Sequence, residues 1–216
     1  RSTQAKTLFP YTTLFRSGSG ETKIAYVGSR PLVLQHRWDL FQLNEAAIEQ
    51  DFYLITEDRK SQKLAKSSTL IGPSDLLFIE EGAIVEACIL NTNHGPIYIG
   101  KNAEIMEGSL IRGALALCES AVIKMGAKIY GATTIGPHCR VGGEVSNVVF
   151  YAYSNKGHDG FLGNSIIGEW CNLGADTNSS NLKNNYSVVK QYDYNTQKEE
   201  STGLNFCGLM IDRKST

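Results

Sequence analysis

From Ile99 onward an aliphatic residue falls on every sixth position: Ile99, Ile105, Ile111, Leu117, Ile123, Ile129, Ile135 and Val141. An amphipathic helix needs apolar spacings of three and four, which a period of six does not supply. Six residues suffice for one short strand and a turn, and three such units close a triangular coil of roughly 18 residues. The aliphatic residue then points into the prism, and equivalent positions stack coil upon coil. Small residues recur at fixed offsets, as in Met125-Gly126-Ala127 and Gly131-Ala132, where the backbone turns sharply and a β-carbon would collide.

This pattern is the hexapeptide-repeat signature. It predicts an all-β fold, a left-handed parallel β-helix over 69–211, of a kind that is usually trimeric. The flanks keep the period in shifted phase, with Ile79 and Val85 before and Phe161, Ile167 and Leu173 after. Two short inserted loops would account for both shifts. Ahead of the repeats, 24–27 reads as a short strand. Residues 38–50 (WDLFQLNEAAIEQ) read as a helix with Leu40, Phe41, Leu43, Ala47 and Ile48 on its apolar face. Residues 51–56 fit a strand or the start of a linker, and the polar stretch 57–68 a domain boundary. Since 18–60 cannot make an independent core, 18–68 is read as the short α/β remnant of a larger, truncated domain and its linker.

Both extremes of the chain read as foreign to the fold. Residues 7–17, TLFPYTTLFRS, match a translated sequencing adapter, and 212–216 match the start of the opposite adapter. The expectation is therefore that 1–17 and 212–216 are non-native and that 18–211 is the biological part.

A net charge of −1 gives no electrostatic footprint for nucleic acid or a polybasic membrane contact. No apolar run is long enough for a transmembrane helix, and no signal peptide is visible. Cysteines at 88, 118, 139, 171 and 207 show no C-x-x-C pair. They are expected to be reduced, buried thiols in a cytoplasmic protein, and no metal site is expected.

Polar density rises sharply over 153–186, which holds Lys156, His158, Asp159, Asn172, Asp176, Asn178, Asn181 and Lys183. Packing a prism does not require so many carboxamides and cations. A loop leaving the prism between glycines would present His158, whose ordinary pKa suits a general base. Asp159 or Asp176 could orient its ring, and Lys156 could meet an anionic group. Asparagines offer donor and acceptor to sugar hydroxyls. The competing reading is an exposed loop histidine with an asparagine ladder stabilising turns.

Four segments carry a resemblance: GPIYIGKNAEIMEGSLIRG (95–113), MGAKIYGATTIGPHCRVGGEV (125–145), SNKGHDGFLGNSIIGEWCNLGADTNSSNLKNNY (154–186) and TGLNFCGL (202–209). They resemble the alternative, Bacteroidetes-type sugar nucleotidyltransferase/acetyltransferase family. That family is similar to the bifunctional enzyme making UDP-N-acetylglucosamine. The resemblance implies a hexapeptide-repeat domain that moves an acetyl group from acetyl-CoA to a hexosamine 1-phosphate. His158 matches the base that deprotonates the sugar amine, Asn172 and Asn181 match asparagines near substrate and donor, and Lys156 lies one position from the matching lysine. Arg140 and Lys156 would meet the phosphate, with Lys183 nearby in the substrate set. Phe161 and Gly142 stand where the better-known enzyme has tyrosine and a phosphate-binding arginine, which bears on sugar specificity. The resemblance places the nucleotidyltransferase chemistry and its Mg2+ upstream of residue 18 and further coils beyond 211, so the chain alone is expected to be inactive. The parent's partners would be a sugar phosphate, acetyl-CoA and two further copies of itself.

Two other readings stay open. The β-helix would be a trimerising or sugar-binding regulatory module of a nucleotidyltransferase. Alternatively it would be a carbonic-anhydrase-like prism, which needs three histidines on a shared face, and His94, His138 and His158 lack that spacing.

Overall fold

In the computed structural model, residues 32–212 are described; the expected strand at 24–27 lies outside them. Short parallel strands stack into a three-sided prism. Face A runs through Thr69–Ile71, Ile89–Asn91, Leu110–Arg112 and Lys128–Tyr130, then the first halves of Glu144–Phe150 and Phe161–Ile167. Face B runs through Leu77–Ile79, Ile97–Ile99, Leu115–Leu117 and Thr133–Ile135, the second halves of those two long strands, and Met210–Ile211. Face C stacks Ile84–Val85, Glu104–Ile105, Val122–Ile123, Arg140–Val141 and Asn155–Lys156. This is the left-handed β-helix that the period of six predicts.

All eight residues of the unbroken repeat point inward and are 3% exposed or less. Burying one such side chain contributes on the order of 1.5–3 kcal/mol, and each coil supplies three. The phase shifts have a different origin from inserted loops on both sides. Before Ile99 the inward series includes Leu90, so the extra residues sit at a single corner around His94. After Val141 the corners shorten: inward positions fall at Val145, Phe150, Lys156 and Leu162. Phe161 is therefore not inward. It pairs with Glu144 on the outer surface, and its neighbour Leu162 is the core residue.

The predicted helix is present as two pieces, α1 (Asp39–Gln42) and α2 (Asn44–Thr56). Residues 51–56 are helix, because Ile48, Phe52 and Ile55 continue one buried face at spacings of four and three. The helices lie along the outside of face B. Phe52 and Ile55 cover Phe78 and Tyr98, Ile48 covers Ala116, and Trp38 and Phe41 cover Val149 and Ile166. Midway, Asn44 donates to Ala132 O at 2.8 Å and accepts from Thr134 Oγ1 at 2.8 Å. The stretch 57–68 is seated along the edge of the first coil: Gln62 N donates to Ile79 O, Ile79 N to Ser61 Oγ, and Cys88 N to Ser68 Oγ. That covers strand edges that would otherwise be open. Near the other end, the hairpin Lys190–Asp193 with Lys198–Ser201 leaves the prism before face B resumes at Met210.

The five cysteines are buried, unpaired thiols. Burial pushes those of Cys118 and Cys139 up to about 12.

Candidate functional site

The fold divides the expected site residues among three places. His158 occupies the corner from face C to face A, immediately after Asn155–Lys156, and its ring is exposed. The prism continues through this segment instead of releasing a loop. The double glycine of the preceding coil makes room: Gly143 has φ +72, and a β-carbon there would meet His158 O at 2.9 Å. At Gly142 an added β-carbon would lie 2.8 Å from Gly157 O, so this corner has no place for the arginine of the better-known enzyme. Neither Asp159 nor Asp176 hydrogen-bonds the His158 ring among the described residues.

Lys156 is where sequence reasoning went wrong about orientation. It takes the inward slot of face C, in register with Val141, and is 1% exposed. Its Nζ donates to Gly142 O at 3.1 Å and to His158 O at 2.9 Å. Burial holds its pKa below the usual lysine value, with the Asp159 charge acting in the opposite sense. An ammonium so enclosed does not meet a phosphate in the groove; it ties the His158 backbone to the preceding coil.

Arg140 and Asn172 do come together. Arg140 is in register with Asn155, and Asn155 bridges to Asn172, so the three form one row on the outside of face C. They line a groove of about 400 Å3 with Ser120, His138, Tyr153, Trp170 and Cys171. The sequence reading missed the aromatic members. Their signal was available at the coil period: each lies three residues before an inward residue of face C, namely Val141, Lys156 and Leu173.

Asn181 and Lys183 lie elsewhere. Asn181 Nδ2 donates to Asn164 Oδ1 at 2.6 Å at the corner from face A to face B. Below it, with the Asn147 amide oriented to satisfy its neighbours, Asn164 Nδ2 donates to Asn147 Oδ1 at 2.9 Å, and Asn147 donates to Phe41 O at 3.0 Å. This is an asparagine ladder that stabilises turns, the competing reading given above. Lys183 is exposed, and its Nζ donates to Val188 O at 3.3 Å.

His94, His138 and His158 stand on three different corners, and among the described residues no group of three or more His, Cys, Asp or Glu could hold a metal ion. No described helix is long and apolar enough to cross a membrane.

Residues 2–60 match the family model described as sugar nucleotidyl transferase. Of these, 32–60 include α1 and α2, and 2–17 fall in the segment read above as non-native. Three curated relatives, each named "Bifunctional protein GlmU", are also similar. That of Trichodesmium erythraeum is 29% identical over 110 residues, 50% of this chain and 22% of its own. Those of a Cyanothece species and Rippkaea orientalis are 27% and 25% identical over 71% and 68% of this chain and 38% and 36% of theirs. The chain thus spans well under half the length of these relatives. Together the family model and the relatives support the resemblance carried by the repeat and by 154–186, to GlmU-like sugar nucleotidyltransferase/acetyltransferases.

Proposed function

We propose that this chain is part of a cytoplasmic sugar-nucleotide biosynthesis transferase, and that its prism is the acetyltransferase half. The observation that carries the reading is the exposed His158 at one edge of face C, the face whose outside carries the row Arg140, Asn155, Asn172, on a hexapeptide prism similar to GlmU. In this reading Arg140 meets the phosphate of a hexosamine 1-phosphate, and Asn172 engages the sugar. His158 removes a proton from the amine as its nitrogen attacks the thioester carbonyl of acetyl-CoA. The new C–N bond replaces the C–S bond, and coenzyme A leaves as the thiol. Lys156 acts from beneath, fixing the corner that carries His158. Asn181 and Lys183 act on the turn geometry of the neighbouring corner. Proximity and general-base catalysis are the two physical contributions, the base worth roughly 10²–10⁴ in rate. Three copies would associate through face A, where Ile71, Ile89, Leu110 and Tyr130 are exposed around a groove of about 480 Å3.

Thiol release by the full-length parent with acetyl-CoA and glucosamine 1-phosphate tests this, wild type beside His158→Ala. A loss of roughly 10²–10⁴ in kcat is expected; full activity in the variant refutes the role of His158.

A second reading keeps the chemistry in the nucleotidyltransferase part and makes the prism a trimerising or regulatory module. The exposed apolar strip of face A and the absence of any carboxylate on the His158 ring among the described residues favour it. Absent thiol release with nucleotide transfer intact would select it.

A further inference from the structure

One corner of the prism carries aromatic rings in three successive coils. His138 and Tyr153 stack with centroids 5.0 Å apart and planes at 5°; Tyr153 and Trp170 stack at 4.7 Å and 10°. All three have left-handed backbones, with φ of 59°, 58° and 56°, a conformation rare for bulky residues. The coils below place Gly82, Asn102 and Ser120 at this position, residue types that suit a turn.

The rings do not serve the core. Tyr153 is covered on both faces by its neighbours and is still 43% exposed, so its rim and hydroxyl face solvent. Ring rims are the electropositive part of an aromatic. Tyr and Trp add O–H and N–H donors, and His adds a donor on one nitrogen. Beside this column runs the row Arg140, Asn155, Asn172, and no carboxylate lines the groove between them. None of these six side chains makes a hydrogen bond or an ion pair with another described group.

We propose that the aromatic column, with Asn155, sets the specificity of this groove for an oxygen-rich anion, a phosphorylated sugar lying along the prism axis. Its phosphate meets the Arg140 fork, and its hydroxyls meet the rim of the aromatic column. The inference rests on the reading above and deepens it: Arg140 and Asn172 are shared, while His138, Tyr153, Asn155 and Trp170 are added as residues that set specificity. Arg suits phosphate because its planar fork makes two parallel charge-assisted hydrogen bonds. A purely apolar ligand would bury the same donors unpaired, which disfavours it.

The chain has two tryptophans, Trp38 at 4% exposure and Trp170 at 59%, so a ligand-induced fluorescence change reports on the groove. The chain is titrated with glucosamine 1-phosphate, inorganic phosphate and glucosamine. A saturable change is expected with glucosamine 1-phosphate, at concentrations at least roughly tenfold lower than for either part alone, since both rows contribute. Trp170→Phe should silence the signal, and calorimetry should then show binding weakened roughly three- to tenfold, the scale of one aromatic contact. Tyr153→Phe should weaken binding by roughly fivefold and Arg140→Gln by more than roughly tenfold, as for neutral and charged hydrogen bonds. Circular dichroism and urea midpoints of each variant establish that the prism is intact. Absence of any saturable change, equal affinity for inorganic phosphate, or unaltered binding by Tyr153→Phe overturns the proposal. No acetyl donor is present in this titration. Binding that follows these expectations without thiol release in the parent would remove the acetyltransfer reading alone. His158-dependent thiol release with no binding to the groove would remove this proposal alone.

Discussion

Two corners of the prism break the same backbone rule for opposite ends. At the corner from face A to face B, Asn147 and Asn164 take left-handed φ, and their amides bond one another, Asn181 and the α1 backbone. At the corner from face B to face C, His138, Tyr153 and Trp170 take left-handed φ, are exposed, and spend no side-chain hydrogen bond on another described group. A turn column that spends its amides on its neighbours stabilises the stack. A column that holds its donors in reserve offers them to something else.

The comparison can be broken from the asparagine side first, where the largest effect is expected. Asn164→Ala removes two amide hydrogen bonds and keeps the unfavourable φ, so a loss of about 2–4 kcal/mol is expected. Asn164→Gly relieves the backbone part and should lose less. Urea denaturation of the chain measures both; a loss under about 0.5 kcal/mol for Asn164→Ala would remove the ladder's structural role, since that is the scale of an indifferent surface change.

An intermediate effect is expected at Lys156, on face C. Its folded-state pKa is lowered, so the native state binds this proton less readily than the unfolded chain. Below the folded pKa the fold carries the full penalty of a buried ammonium. The penalty fades as pH rises from the folded pKa toward the ordinary value of 10.5. Each unit of separation corresponds to about 1.4 kcal/mol. Stability of the wild type should therefore rise relative to Lys156→Met across the alkaline range, and parallel curves would contradict it.

The smallest effect belongs to the aromatic column. Tyr153→Asn exchanges ring stacking, about 0.5–1.5 kcal/mol, for a residue at ease in the left-handed region. The net change should stay within about 1 kcal/mol, while ligand binding suffers. A stability loss matching that of Asn164→Ala would make both corners structural and erase the contrast.

The prism was legible because its signal is additive: eight aliphatic positions repeat one choice, and all eight are inward. The reading failed where corners shorten. Four residues separate Val141 from Val145 and five separate Val145 from Phe150, which moves the core position from Phe161 to Leu162. Lys156 escaped for a related reason. A cation is assigned to the surface by default, and only the shifted register shows it inward. The placement of the candidate site residues was legible only in part. Arg140 and Asn172 were chosen on resemblance and do share a face, whereas Asn181 was chosen on the same ground and belongs to the turn ladder. The aromatic column has spacings of 15 and 17 residues, and a search for sixes passes over it.

Coils that resemble one another so closely can be mistaken for one another as the chain winds. An aliphatic side chain is at home in any of the inward slots, so it does little to tell the fourth coil from the fifth. Lys156 is different, because its ammonium is satisfied by two carbonyls, those of Gly142 and His158, that converge on its slot. Wound one turn out of place, that charge would sit among aliphatic neighbours without acceptors, a state several kcal/mol worse. A single polar residue in an apolar column thus acts as an index mark, fixing which turn lies upon which and, with it, the seat of His158 on the Gly142 corner.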